Sequence, residues 1–274
     1  MKYILIILFF NLMFSMMNAQ NKDSLLMIHK IEEAKIKYTQ KNIEQTEKLL
    51  NEAENLFPQY TEIYQIRGLL YYEMSNYKKA IQDYDKAILL SKNNDDLYYK
   101  RGVTYFSTKN FDKAINDLQK TIQINPKHKA AYTTLGAIYQ EQNQTQKAIE
   151  MYEKAINIDK KFAIAYYNLA TIYGNENDYQ KAISAINQAI ECKEKYTEAY
   201  LIRIEIYYNQ KKYDYAMNDI DIVLKYFPQQ FEALEWQGMI YLKKKQKIKA
   251  CQAWKEAEKY GSVDATNYIK KNCK

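Results

Sequence analysis

Residues 129–162 read KAAYTTLGAIYQEQNQTQKAIEMYEKAINIDKKF. Tyr132, Gly136 and Tyr139 fall four and three apart, the spacing of one face of a helix. Ala148, Tyr152 and Ala155 repeat that spacing after a polar break, so the stretch predicts two helices joined by a turn.

The same 34-residue frame runs through the neighbouring sequence. With Thr61 as place 1, place 20 is Ala80, Ala114, Ala148, Ala182, Ala216 and Ala250. Place 11 is Tyr71, Tyr105, Tyr139, Tyr173, Tyr207 and Tyr241. Place 8 is small in most repeats (Gly68, Gly102, Gly136, Ala170, Gly238), with Ile204 as the exception. A small residue there lets the two helices approach, so the pair starting at Thr197 is expected to sit slightly farther apart. Polar turns such as Ser75-Asn76 and Lys109-Asn110 separate the helices. Each pair leaves an apolar side uncovered and must stack on the next, which is the logic of a solenoid.

Six repeats fit without insertion: 61–94, 95–128, 129–162, 163–196, 197–230 and 231–264. The sequence resembles the tetratricopeptide repeat family, on Tyr132, Leu135, Gly136, Tyr139, Ala148 and Tyr152, with Pro126 and Pro228 at inter-repeat turns. The resemblance implies an all-α, right-handed α-solenoid of about seven helix-turn-helix repeats with a C-terminal capping helix. Arg67, Arg101 and Arg203 replace the family's Leu, and their guanidinium groups are expected to snorkel to solvent.

At the ends the frame loosens. Residues 20–60 read as a degenerate N-terminal capping repeat, broken by Lys37 and Thr46 and expected to present a polar outer face. Gly261 stops a helix, and Ser262 can cap a last one, so 262–274 is a C-terminal capping helix overlapping the sixth repeat. Residues 1–19 place Lys2 before an apolar run from Tyr3 to Met17, with Ala19 as a cleavage-site residue. That order predicts a secretory signal, and the run is shorter than the ~20 residues of a spanning helix. The expected location is periplasmic or secreted.

Composition agrees. Six Gly and three Pro in 274 residues argue against a turn-rich sandwich or barrel, and 47% hydrophobic content with 28 Tyr argues against disorder. The net charge of +7 is spread as Lys pairs beside acidic residues, which describes solvated helix faces rather than a nucleic-acid stripe. His29 and His128 have no neighbour at metal or triad spacing and read as ordinary surface residues. Asp95 reads as a helix N-cap. No catalytic residue, cofactor site or metal site is indicated.

Of the three cysteines, Cys192 occupies a place filled by Leu, Ile or Tyr in other repeats and reads as a core residue and a free thiol. Cys251 and Cys273 lie equidistant from Ser262, so an antiparallel hairpin puts them at one level. Register leaves both a disulfide and two thiols open, because a bridge also needs Cα atoms within about 7 Å.

The resemblance assigns the binding surface to the first helix of each pair. Places 5 and 12 there carry Tyr72, Tyr99, Phe106, Thr133, Tyr167, Leu201 and Tyr208, a candidate groove for a peptide or protein segment. The tyrosines also fill buried places, so composition alone gives a second account of them. Place 5 holds no Lys, which removes the carboxylate clamp of the family's co-chaperones. The expected function is a non-enzymatic, exported interaction scaffold; a regulatory module of an enzyme complex and a cytosolic chaperone adaptor are the alternatives.

Overall fold

The computed structural model describes residues 24–273, and the signal reading of 1–19 lies outside them. Among the described residues there are fifteen helices and no strand. They run α1 (24–39), α2 (Ile43–Leu56), α3 (Thr61–Glu73), α4 (Tyr77–Leu90), α5 (Asp95–Ser107), α6 (Phe111–Ile124) and α7 (Lys129–Glu141). The order continues with α8 (Thr145–Ile158), α9 (Ala163–Asn175), α10 (Tyr179–Cys192), α11 (Thr197–Asn209), α12 (Tyr213–Tyr226), α13 (Phe231–Lys243), α14 (Lys247–Lys259) and α15 (Val263–Asn272). The fold is an all-α solenoid of helical repeats, divided into one compact unit ending at Thr134 and a second beginning at Leu135.

Every hairpin turn is built the same way. Lys41, Ser75, Lys109, Asn143, Asn177, Lys211 and Lys245 stand 34 residues apart with φ between 58° and 63°. This left-handed residue ends the first helix, and the next N–H bonds five residues back, as Asn76 N donates to Tyr71 O at 2.8 Å. The side chain at that following place then caps the second helix where it is short: Asn42, Asn76, Asn110 and Asp178 each accept from an N–H three residues on. Gln144, Lys212 and Gln246 make no such bond.

Within the first unit, α3 packs on α4 and α5 on α6, while α3 also touches α5, so successive first helices line one side. Its cores are small and local: Met27, Ile31, Leu50, Ala53 and Ile63 form one, and Tyr64, Ala87, Ile88 and Leu97 the next. The outer face of α1 is mixed rather than polar, because Leu25, Ile28 and Ile36 are exposed on it beside His29 and Glu32. Within the second unit, α9 packs on α10, α11 on α12 and α13 on α14, with α9–α11 and α11–α13 also in contact. The hairpin containing Ile204 is less closely packed than its neighbours α9–α10 and α13–α14.

The glycine of place 8 makes room mainly for the ring of place 24. A Cβ on Gly68 would sit 2.7 Å from Tyr84, on Gly136 2.5 Å from Tyr152, and on Gly238 2.3 Å from Trp254. Where place 8 is larger, as at Ala170 and Ile204, place 24 carries the smaller Ile186 and Ile220.

The three arginines do not snorkel. Arg67 is 7% exposed, and its Nε and Nη2 donate to both oxygens of Asp83 at 2.9 and 2.8 Å. Arg101 holds Asp117, and Arg203 holds Asp219, in the same forked geometry. Each remaining Nη1 reaches the preceding second helix, to Asn51, Asp85 and Asn187 respectively. A guanidinium with a carboxylate in fork geometry on its own hairpin has no reason to seek water, so these residues fasten consecutive hairpins.

α15 closes the second unit. The Ser262 hydroxyl accepts from Ala265 N, Gly261 turns with φ 99°, and Tyr268 stacks on Trp254 with ring centres 5.2 Å apart. Cys251 and Cys273 are joined by a disulfide, their Cα atoms 5.7 Å apart. Cys192 is a half-buried free thiol whose sulfur lies beside the Lys160 carbonyl, not a core residue.

Candidate functional site

In the first unit, Leu69 and Tyr72 from α3 face Tyr99, Lys100 and Val103 from α5, with Tyr84 of α4 between them. These six residues line an apolar cleft of about 200 Å³. Its rim is polar and internally paired: Gln65 donates to Asp96, and the Lys100 ammonium lies 2.6 Å from the same carboxylate. The Tyr72 and Ser107 hydroxyls are 3.2 Å apart. Burial pushes the Tyr99 phenol up, with Thr134 bonding to it and Asp96 nearby.

The aromatic side chains are propped by further rings. Tyr99 lies on His128 with centres 4.6 Å apart, Tyr72 on Tyr77 at 5.7 Å and Phe106 on Phe111 at 6.1 Å. His128 is therefore not an ordinary surface residue: its ring supports Tyr99 while its Nδ1 accepts from Ala131 N, starting α7. Thr133 is 8% exposed and bonds back to Lys129 O, so it offers little surface.

In the second unit, Tyr167 leans on Tyr196 at 5.3 Å, and Tyr208 lies between Tyr213 and Trp236 at 5.7 and 5.2 Å. Leu201 packs in the core formed by Ile204, Ile220 and Ile240. A smaller pocket of about 110 Å³ lies between α9 and α11, lined by Thr171, Gly174, Glu205 and Asn209 among others. Glu235, which the frame places on the same face, is engaged by the Ser262 hydroxyl, and burial pushes its carboxyl up.

Family models match three stretches of the sequence, described as "Tetratricopeptide repeat" over 94–161 and 151–184 and "TPR repeat" over 68–109. The chain is a tetratricopeptide repeat protein. Among solved structures, it is similar to a tetratricopeptide repeat protein from Parabacteroides merdae, at 20% identity and TM-score 0.68, covering 91% of this chain and 99% of that one. MamA aligns at 26% identity and TM-score 0.54, over 59% of this chain and 95% of its own. YrrB, described as a TPR protein with an unusual peptide-binding site, aligns at 22% identity and TM-score 0.54, over 69% and 97%. No curated protein matches the sequence.

Two features of this TPR protein are not evident from the first-helix places alone. Tyr84 belongs to a second helix yet forms part of the cleft, because Gly68 leaves its ring room beneath α3. Asp95 is not an N-cap: Asn94 caps α5 by accepting from Asp96 N, and Asp95 accepts from the Asn125 side chain at 2.7 Å. Among the described residues, no group of three or more His, Cys, Asp and Glu is arranged to hold a metal, and no helix is long and apolar enough to cross a membrane.

Proposed function

We propose that this TPR protein is an exported, non-enzymatic scaffold that holds a peptide or protein segment on the aromatic face of its first helices. The observation that carries the reading is the cleft of Leu69, Tyr72, Tyr84, Tyr99, Lys100 and Val103. Half-buried rings with fixed neighbours lose little freedom on binding, which is why aromatic side chains dominate protein-protein contacts. YrrB, a TPR protein with an unusual peptide-binding site, agrees with such a use of the fold. Export rests on the order of Lys2, the apolar run and Ala19, and on the Cys251–Cys273 pair, a bond that persists in oxidising compartments.

A photo-crosslinking amino acid at Gln65 on the cleft rim, compared with one at exposed Gln119 on α6, tests the groove. A specific adduct from position 65 alone is expected; adducts of equal yield from both positions would remove the groove. Intact mass of the processed chain tests export, with a start near Gln20 expected and retention of residues 1–19 counting against it.

A further inference from the structure

Each later first helix turns one stripe toward the hairpin before it. Place 3 of the frame is Ile63, Leu97, Ala131, Ala165, Ala199 and Ala233, each 0% exposed. Place 10, from Leu70 to Ile240, is at most 3% exposed. Ile63 shares a core with Leu50 and Ala53, Leu97 with Tyr64 and Ala87, and Ala233 with Tyr200 and Val223. The stripe is therefore what stacks one repeat on the last. Among the described residues no hairpin precedes α1, and there the stripe is open. His29 and Ile36 are its places 3 and 10; both are exposed, Ile36 by 55%, with Leu25 at 67% and Ile28 at 48% beside them. At the other end of the chain, α15 exposes Val263 among Asp264, Asn267, Lys270 and Lys271, a polar surface with no stripe to match.

The sequence of α1 matches itself instead. Exposed Leu25, His29, Glu32 and Ile36 follow spacings of four, three and four, which is one helix face. Leu25 and Ile36 are equidistant from the midpoint between Lys30 and Ile31, and so are His29 and Glu32. Two copies of α1 packed antiparallel about that midpoint put Leu25 on Ile36 and the His29 imidazole beside the Glu32 carboxylate, twice over. Sliding the helices until Ile28 meets Ile36 would set Glu32 against its own copy, a like-charge contact. Glu32 has charge to offer, because Lys35 is divided between it, at 2.7 Å, and Glu62, at 2.8 Å.

We propose that α1 is a self-association surface, on which a second copy of this chain docks its own α1 antiparallel across a two-fold axis. Leu25 and Ile36 supply the apolar contact, and His29 with Glu32 fixes the register. The dimer covers on both copies the stripe that every later first helix already buries.

Sedimentation of the chain purified for the intact-mass measurement should show a concentration-dependent equilibrium between monomer and dimer. His29→Glu opposes two carboxylates across the axis and should weaken the dimer at least ~10-fold. Adding Glu32→Lys restores an opposite-charge pair and should return the dimer constant to within about 3-fold of the original. Both positions are exposed, so circular dichroism of the variants should match the unaltered chain. A photo-crosslinking amino acid at Leu25, in a mixture of isotopically labelled and unlabelled chains, should bond to the segment containing Ile36 of the other copy. A chain that stays monomeric at every soluble concentration would overturn the proposal. So would a dimer indifferent to His29→Glu or not recovered by Glu32→Lys, or a crosslink from Leu25 that falls within its own chain.

Discussion

Arg203 and Asp219 illustrate how single residues fasten this chain. The pair is forked and nearly buried, with side-chain exposures of 16% and 5%. Burial pushes the Asp219 carboxyl up while Arg203 pulls it down. Asp219→Ala should therefore destabilise the fold by about 2–3 kcal/mol, because it strands a guanidinium inside the hairpin stack. Arg203→Leu combined with Asp219→Met should stay within about 1 kcal/mol of the unaltered chain, since apolar replacement of a buried pair is often neutral. Leu135 and Met151 already occupy those two places in another repeat. Urea midpoints of the two variants distinguish the outcomes.

Glu54 supplies a pH signature. Desolvation raises its pKa, but bonds to Lys86 and Arg67 outweigh that and hold it down at about 2, against an ordinary 4.5. The folded chain thus binds this proton more weakly than the unfolded one. Its contribution is present above about pH 4.5 and is lost as pH falls toward 2. Glu54→Gln should flatten the stability-against-pH curve in that window and leave the slope between pH 6 and 8 unchanged.

At the scale of the element, the repeat was legible because Ala and Tyr recur at fixed places, and a helix buries one stripe. The arginine clamps were not read, although their signal was present. Arg stands at place 7 only where Asp stands at place 23, as at 67/83, 101/117 and 203/219. Sixteen residues separate the partners, so no single-helix periodicity joins them; only the antiparallel hairpin does. The groove places were legible as positions but not as surfaces. Tyr99 and Tyr167 are half-covered by the side chains of His128 and Tyr196, which return from the end of each repeat.

The place 8–place 24 pair makes its own prediction. Gly136→Ala puts a methyl within 2.5 Å of the Tyr152 ring and should cost about 1–3 kcal/mol of stability by overpacking. Adding Tyr152→Ile recreates the Ala170–Ile186 combination and should recover most of that loss. A double variant no more stable than Gly136→Ala alone, by thermal melting, would show that ring volume is not what the glycine accommodates.

For the whole molecule, the central claim is that binding belongs to the aromatic face of the first helices. The decisive measurement is the dissociation constant of the crosslinked partner for the unaltered chain and for a variant with Tyr99, Phe106 and Tyr167 replaced by Ala. Circular dichroism of both must first show equal helix content. Loss of buried aromatic anchors should raise Kd at least ~10-fold, the effect of one interface hot spot. A Kd unchanged by the triple substitution in a fully helical variant would contradict the account.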